Sequence, residues 1–264
     1  MRALRKKDSR FSSEDPFGEL KKNPSLPPGM RRRFKDRVLI MTTSECFNRC
    51  PHCTRAFILG KTETVDTEEK LNKCVSYVLR HREIRDVLLS GGDVLTLPDK
   101  DVIKLVDAFA SLEQIDMVRV CTRALVDNPE RVTDKLARLL ARSGKVWANV
   151  HINTASEALR AAPAAARLVN RGIPVSSQTV LLKGVNDTPL KMLSLLKTLS
   201  AARIRPYYVF QCDPVSSIEK RFGVPLKKAK AIEKYCAERI GGLSLPRFVA
   251  DIPSSLRKTP LDLL

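Results

Sequence analysis

From Arg37 onward, short apolar runs rich in β-branched residues alternate with longer stretches whose apolar residues recur every three to four positions. The first kind suits a strand covered on both faces, the second an amphipathic helix. Together they predict six strands, at 37–43, 85–90, 117–122, 146–152, 174–182 and 204–211. Helices are expected near 67–82, 99–112, 130–142, 156–171, 188–201 and 226–239, with start signals at Thr67, Pro98-Asp99, Asn128-Pro129, Ser156 and Asp187-Thr188-Pro189. Strict alternation of strand and helix calls for a parallel sheet covered by helices, so the expected class is α/β, a partial (β/α)6 TIM-like barrel. A further apolar run, Arg247-Phe248-Val249-Ala250, leads to Asp251 and a closing tail. Residues 1–32 carry Pro16, Pro24, Pro27 and Pro28 and no sustained period, which reads as a short basic N-terminal arm with at most a short helix. Residues 33–264 read as one domain.

Composition narrows the class. Charged residues make up 29% and the hydrophobic class 43% of 264 residues, which is globular rather than disordered. No apolar run approaches the ~20 residues of a membrane span, and Met1-Arg-Ala-Leu-Arg-Lys-Lys-Asp8 lacks the apolar core of a secretory signal. Seven cysteines, an odd number, argue for reduced thiols and a cytoplasmic setting. The formal charge of +18 raises the question of a polyanionic partner. The excess is spread from Arg2, Arg5, Lys6 and Lys7 through Arg31-Arg32-Arg33 to Lys227, Lys228 and Lys230, with few aromatics for base stacking, and this favours a solvated basic surface over nucleic-acid binding.

Chemistry concentrates in Cys46-Phe-Asn-Arg-Cys50-Pro-His-Cys53-Thr-Arg55, just beyond the first strand. Three thiols at C-x3-C-x2-C spacing on a loop can each reach a different iron of one [4Fe-4S] cubane, leaving the fourth iron open to a small molecule. Ordinary buried cysteines are the bland alternative. The second strand runs into Ser90-Gly91-Gly92-Asp93, where missing Cβ atoms permit close approach to the backbone; a tight turn would also account for the glycines.

The cysteine spacing is that of the radical S-adenosylmethionine superfamily, and the remaining motifs resemble its lysine 2,3-aminomutase family. They run in order: Arg33-Phe-Lys-Asp-Arg37, Cys-Pro-His-Cys-Thr-Arg55, Leu88-Leu-Ser-Gly-Gly-Asp93, Val150-His-Ile-Asn153, Gln178 to Asp187, Arg205-Pro-Tyr-Tyr208, Gln211-Cys-Asp213, and Asp251 seven residues before Lys258. The resemblance implies that Cys46, Cys50 and Cys53 hold the cluster, and that Ser90, Gly91, Gly92, Asp93, His151 and Asn153 bind S-adenosylmethionine. It implies a C-terminal cofactor-binding tail in which Lys258 is the catalytic lysine carrying pyridoxal 5′-phosphate, with Arg33, Arg37 and Gln178 around the phosphate. Arg55 matches the position that pairs with the substrate carboxylate, and Asp213 with Asp251 match the pair that grips the distal ammonium of lysine. A lysine amine can form a Schiff base with the aldehyde, and guanidinium forks suit phosphate oxygens. Two anions at separate strand ends compensate one ammonium and repel an acidic side chain.

Two departures stand out: Ser254-Ser255-Leu256-Arg257 replaces the family's glycine run before the lysine, and Arg239-Ile-Gly-Gly242 replaces a Thr-Ser-Gly element. The ending Lys258-Thr-Pro-Leu-Asp-Leu-Leu264 resembles the branch that makes β-lysine for elongation factor P, whereas Gln211-Cys-Asp213 resembles the metabolic branch of the family. The expected activity is therefore transfer of the α-amino group of lysine, or of a related diamino acid, to the β-carbon, an isomerase reaction. An electron donor such as flavodoxin or ferredoxin is implied, and a homo-oligomer is left open. Two other readings stay on the table: a radical enzyme without pyridoxal phosphate acting on tRNA or another polyanion, and a non-catalytic iron-sulfur protein that binds nucleic acid.

Overall fold

The computed structural model describes residues 15, 17–21, 23–57, 59–253 and 255–264. The remainder of the expected arm, Pro16 included, lies outside the described residues, as does Ser254 of the segment before Lys258.

Among the described residues, nine strands form one open sheet in chain order: β1 (Met30–Phe34), β2 (Arg37–Thr43), β3 (Asp86–Gly91), β4 (Met117–Thr122), β5 (Val146–His151), β6 (Val175–Leu181), β7 (Arg205–Gln211), β8 (Arg247–Ala250) and β9 (Thr259–Pro260). Strands β2 to β8 are parallel, whereas β1 and β9 pair antiparallel at the two edges. All six expected strands are present, and the run at 247 supplies a further parallel one. Strand β1 was not expected. Its sequence, Met30-Arg-Arg-Arg-Phe34, has no apolar alternation, because an edge strand pairs on one side only and its arginines are drawn to acidic partners elsewhere.

Helices α1 (Glu68–Arg80), α2 (Asp99–Ala110), α5 (Ala155–Val169), α6 (Pro189–Ala201) and α8 (Leu226–Ala237) lie where expected; α4 (Asp134–Ala141) covers part of its expected range, and the short α3 (Ala124–Asp127) and α7 (Ser216–Phe222) were not expected. The helix expected over 130–142 starts later. Pro129 opens a separate 3-10 turn through Arg131, and Thr133 caps α4 by accepting a hydrogen bond from the Leu136 amide at 3.1 Å. Helix α5 is capped by Thr154 rather than Ser156.

Period two along the strands sorts the sheet into two faces. Val87 and Leu89 of β3 stand in register with Val118 and Val120 of β4 and Val146 and Ala148 of β5. All are at most 3% exposed, and they form the layer under the helices. The opposite, concave face carries Ser90, Arg119, Cys121, Asn149, His151, Gln178, Tyr208 and Phe210. A face this polar is not built for packing alone; buried polar groups there need partners, and the chain supplies them at the carboxyl ends of the strands.

Candidate active site

The loop after β2 is fastened to the end of β3 by backbone bonds. The Gly92 amide donates to the Thr43 carbonyl at 2.7 Å and the Asp93 amide to the Glu45 carbonyl at 2.7 Å. Gly91 has φ +114°, and a Cβ on it would come 2.6 Å from the Thr43 oxygen; a Cβ on Gly92 would overlap the Glu45 carbonyl. The space left by the two missing side chains is thus filled by the cysteine loop's own backbone, and both amides are engaged within the chain. Asp93 is likewise engaged: Oδ1 accepts from the Leu95 amide at 3.0 Å and the Thr122 hydroxyl at 2.6 Å, and Oδ2 from the Arg123 amide at 2.7 Å. Its carboxylate ties the end of β3 to the end of β4. The Thr42 hydroxyl, in turn, donates to the Ser90 carbonyl at 2.8 Å.

On the loop so fixed, Cys46, Cys50 and Cys53 are half-buried free thiols. Burial, followed by the charges of Cys53 and Asp93, pushes Cys46 up to about 11. Burial likewise pushes Cys50 up to about 11, against the pull of Arg123. Sulfurs that raise one another's proton affinity face a common space, and such thiols stay protonated until a cation compensates them. That donor set fits an iron-sulfur cluster. Among the described residues no three His, Cys, Asp or Glu converge as a single-ion site; the ligands of a cubane sit on separate irons and need not converge on one point.

A polar network surrounds the loop. Asn153 stands at its centre: Nδ2 lies 3.2 Å from His52 Nε2, while Oδ1 accepts from the Val180 amide at 2.9 Å and lies 3.2 Å from His151 Nε2. The His52 and His151 rings meet edge to face at 5.2 Å. Burial pulls His52 down to about 4 and His151 to about 3, so both are uncharged imidazoles at neutral pH. Arg123 donates to Glu157 at 2.7 Å and to the His151 carbonyl at 3.1 Å, and Glu157 accepts from the Asn153 amide at 2.7 Å. His52, Arg123 and Glu157 were not singled out from the sequence; of the three only His52, between two cluster cysteines, carried a signal.

The tail brings in the second group. Lys258 Nζ donates to Asp251 Oδ2 and sits between the rings of Phe34 and Phe210, 5.4 and 5.3 Å from their centroids. Arg33 forms an ion pair with Asp251 Oδ1 at 2.7 Å, bent too far for a hydrogen bond, and donates to the carbonyls of Ile252 at 2.5 Å and Ser255 at 2.9 Å. Asp213, at the end of β7, is pushed up to about 7 by burial and by the Asp251 charge, against the pull of Lys258, Arg33 and Arg55. Arg55 bridges the two groups: its charge reaches Asp213, Cys53 and Cys121, and its Nη1 lies 3.4 Å from Ser90 Oγ. Oδ1 of Asp213 and Nε of Arg33 are buried without a hydrogen-bond partner. Unsatisfied polar atoms around one amine suit a polar ligand rather than a closed core.

The radical SAM superfamily profile matches residues 40–196. Over 256 residues the chain is 36% identical to an Aquifex aeolicus protein provisionally named as an L-lysine 2,3-aminomutase, covering 96% of this chain and 69% of that one. The chain belongs to the lysine 2,3-aminomutase family of the radical SAM superfamily. The L-lysine 2,3-aminomutase of Fusobacterium nucleatum is 34% identical over 94% of this chain, which spans 58% of that enzyme. The glutamate 2,3-aminomutase of Clostridioides difficile is 33% identical over 94% of this chain, with 58% of its own length matched. Among solved structures, Streptococcus suis SuiB bound to S-adenosylmethionine superposes with a TM-score of 0.61 at 15% identity, over 83% of this chain and 50% of that one; this likeness shows the fold.

Of the residues to which the family resemblance gives roles, Lys258, Asp251, Asp213, Arg33 and Arg55 come together, and Arg55 joins them to the cysteine loop. Gln178 lies on the concave face, in register between His151 and Tyr208. Arg37 shares the Phe34 ring with Lys258. It is at the amino end of β2, held by Asp36 through Nε at 2.9 Å and Nη2 at 3.1 Å and stacked on Phe34 at 4.9 Å.

Proposed function

We propose that this chain is a pyridoxal phosphate-dependent lysine 2,3-aminomutase, moving the α-amino group of L-lysine to the β-carbon. The observation that carries the reading is that Lys258 is bonded to Asp251, that the charges of Asp251, Lys258, Arg33 and Arg55 all act on Asp213, and that the charge of Arg55 also reaches Cys53 of the cysteine loop. Bound together, the cluster and S-adenosylmethionine would supply a primary carbon radical that takes a hydrogen atom, and pyridoxal phosphate an aldehyde for the migrating amine.

The chain's own residues supply position. Lys258 would hold the aldehyde, and Arg33, Arg37 and Gln178 the phosphate. Arg33 now holds carbonyls of the tail, so phosphate oxygens would replace those partners. Arg55 would fix the substrate carboxylate at one end of the pocket, and Asp213 with Asp251 the distal ammonium at the other. Held at both ends, the β-carbon can be aimed at one point, and the aromatic walls Phe34 and Phe210 keep water from a reactive radical. An arriving ammonium favours the ionised form of Asp213, whereas the side chain of glutamate would add a third anion beside Asp251. That contrast supports lysine within a family holding both lysine and glutamate enzymes.

Anaerobically reconstituted protein, given S-adenosylmethionine, dithionite and L-lysine, is expected to form β-lysine, and L-glutamate should give no β-isomer. Borohydride reduction with pyridoxal phosphate should place the adduct on Lys258, and Lys258→Ala should lose both the adduct and turnover. Turnover that survives in Lys258→Ala would instead favour a radical enzyme without pyridoxal phosphate. The likeness of residues 258–264 to the elongation factor P branch supports that factor as recipient of the product, to be tested by the mass of elongation factor P in a deletion strain. A cytoplasmic setting, with flavodoxin or ferredoxin as electron donor, completes the proposal.

A further inference from the structure

Arg55 does not wait alone in the pocket. Glu19, from the segment before β1, grips it side-on, with Oε2 accepting from Nε at 2.7 Å and Oε1 from Nη2 at 2.9 Å. Both side chains are largely enclosed, 18% and 24% exposed. Glu19 is itself held in place. Asp15 accepts from the Glu19 amide at 2.8 Å and the Leu20 amide at 2.8 Å, and Arg31 Nε donates to the Glu19 carbonyl at 2.9 Å. Although burial works against its charge, the Arg55 guanidinium holds the Glu19 carboxyl below its usual range, so the pair is ionic.

A guanidinium offers donors along two edges, Nε with Nη2 and Nη1 with Nη2. Glu19 takes the first. On the second, Nη1 has the Ser90 hydroxyl at a long 3.4 Å. We propose that Glu19 is a positioning residue of the amino-acid pocket: it locks the Nε edge of Arg55 so that Nη1 is presented to the substrate carboxylate. A long arginine side chain otherwise loses rotamer freedom on binding, so fixing it beforehand strengthens binding. Glu19 also cancels one charge of the pocket, which limits Arg55 to a single anionic group. Residues 17–21, which carry Glu19, thereby belong to the substrate site. This inference rests on the aminomutase reading for the identity of the carboxylate.

The test compares the reconstituted full chain with its Glu19→Ala and Glu19→Gln variants. In Glu19→Ala the KM for L-lysine should rise at least tenfold with kcat changed less than threefold, and Glu19→Gln, which keeps the shape and one acceptor oxygen, should recover part of the loss. An unchanged or lower KM in Glu19→Ala overturns the proposal, because Glu19 would then be a bystander or a competitor for Arg55. Phenylglyoxal labelling of Arg55, read by peptide mass spectrometry, needs no turnover. L-lysine but not lysinamide should protect Arg55 in the parent, and at least tenfold more lysine should be needed in Glu19→Ala. Equal protection by lysinamide, none by lysine, or protection of Glu19→Ala at the parent's lysine concentration overturns the proposal. Intact lysine protection in a parent that forms no β-lysine would refute the aminomutase reaction while leaving Glu19 its role.

Discussion

Replacing Asp213 by asparagine should make the protein more stable in a pH-dependent way. In the folded chain burial and the neighbouring Asp251 raise this carboxyl from 3.8 to about 7. An unfolded chain ionises it near its ordinary value, so between pH 4 and 7 the unfolded state has released a proton that the folded state still holds. The contribution of Asp213 to stability is therefore most favourable below pH 4, falls as the pH rises through 7, and is flat above. A shift of roughly three units at 1.36 kcal/mol each sets a ceiling of about 4 kcal/mol. One oxygen is enclosed while the residue as a whole is only half-buried, so water screening should reduce this to about 2 kcal/mol. Asparagine has the shape of the neutral acid and no proton to lose. Relative to the parent, Asp213→Asn should gain nothing measurable at pH 4 and about 2 kcal/mol at pH 8, roughly 4–8 °C in melting temperature for a chain of this size. Thermal unfolding of both proteins at pH 4, 6 and 8, without substrate, measures the difference. A gap that stays constant across that range, or a variant less stable than the parent at pH 8, would refute the account of Asp213 as a buried acid awaiting a cation. The same substitution should weaken lysine binding at least tenfold at pH 8, because the distal ammonium loses an anionic partner.

Other expectations follow from the same geometry. Gly92→Ala forces a methyl into the Glu45 carbonyl and unseats the cysteine loop; iron content after reconstitution should drop by more than half, and normal cluster absorbance would contradict the fit. Asn186→Ala removes a buried amide that donates to the carbonyls of Asn153 at 3.0 Å and Val180 at 2.9 Å and accepts from the Leu182 amide at 2.8 Å, at a cost of about 2–4 kcal/mol visible in thermal unfolding. Thr133→Ala should cost about 1 kcal/mol through the lost cap of α4, with no change in cofactor content.

The parallel sheet was legible because each strand is a short apolar run between amphipathic helices, and hydrophobic period is the strongest local signal a sequence carries. Strand β1 was not, since Met30-Arg-Arg-Arg-Phe34 owes its conformation to pairing with β2 and to the partners of its arginines, which lie far along the chain. In the same way, α3 follows Arg123, whose amide is taken by Asp93, and α4 starts late because Pro129 opens a separate 3-10 turn; the pattern of apolar residues does not reveal this. Within the site, Lys258 and Asp251 were readable as motif positions. The pair that backs His151 and Asn153, Arg123 and Glu157, was hidden because an arginine and a glutamate 34 positions apart look like any two surface charges. Glu19 was hidden for the same reason.

Because every strand neighbours the one before it in the chain, the sheet carries its two ends toward each other by degrees. The last link, from Arg33 to the Ile252 carbonyl, joins residues 219 positions apart. Closing a flexible loop of that length in one step would cost about 5 kcal/mol of chain entropy, but here each added βα unit shortens the remaining gap. The thiol-bearing loop and the Lys258 amine consequently come from opposite ends of the strand order, and Lys258 meets Asp251 where β9 returns beside β8. A chain ending before residue 251 would keep the partners that fasten the cysteine loop to the end of β3 and lose Asp251 and Lys258 together.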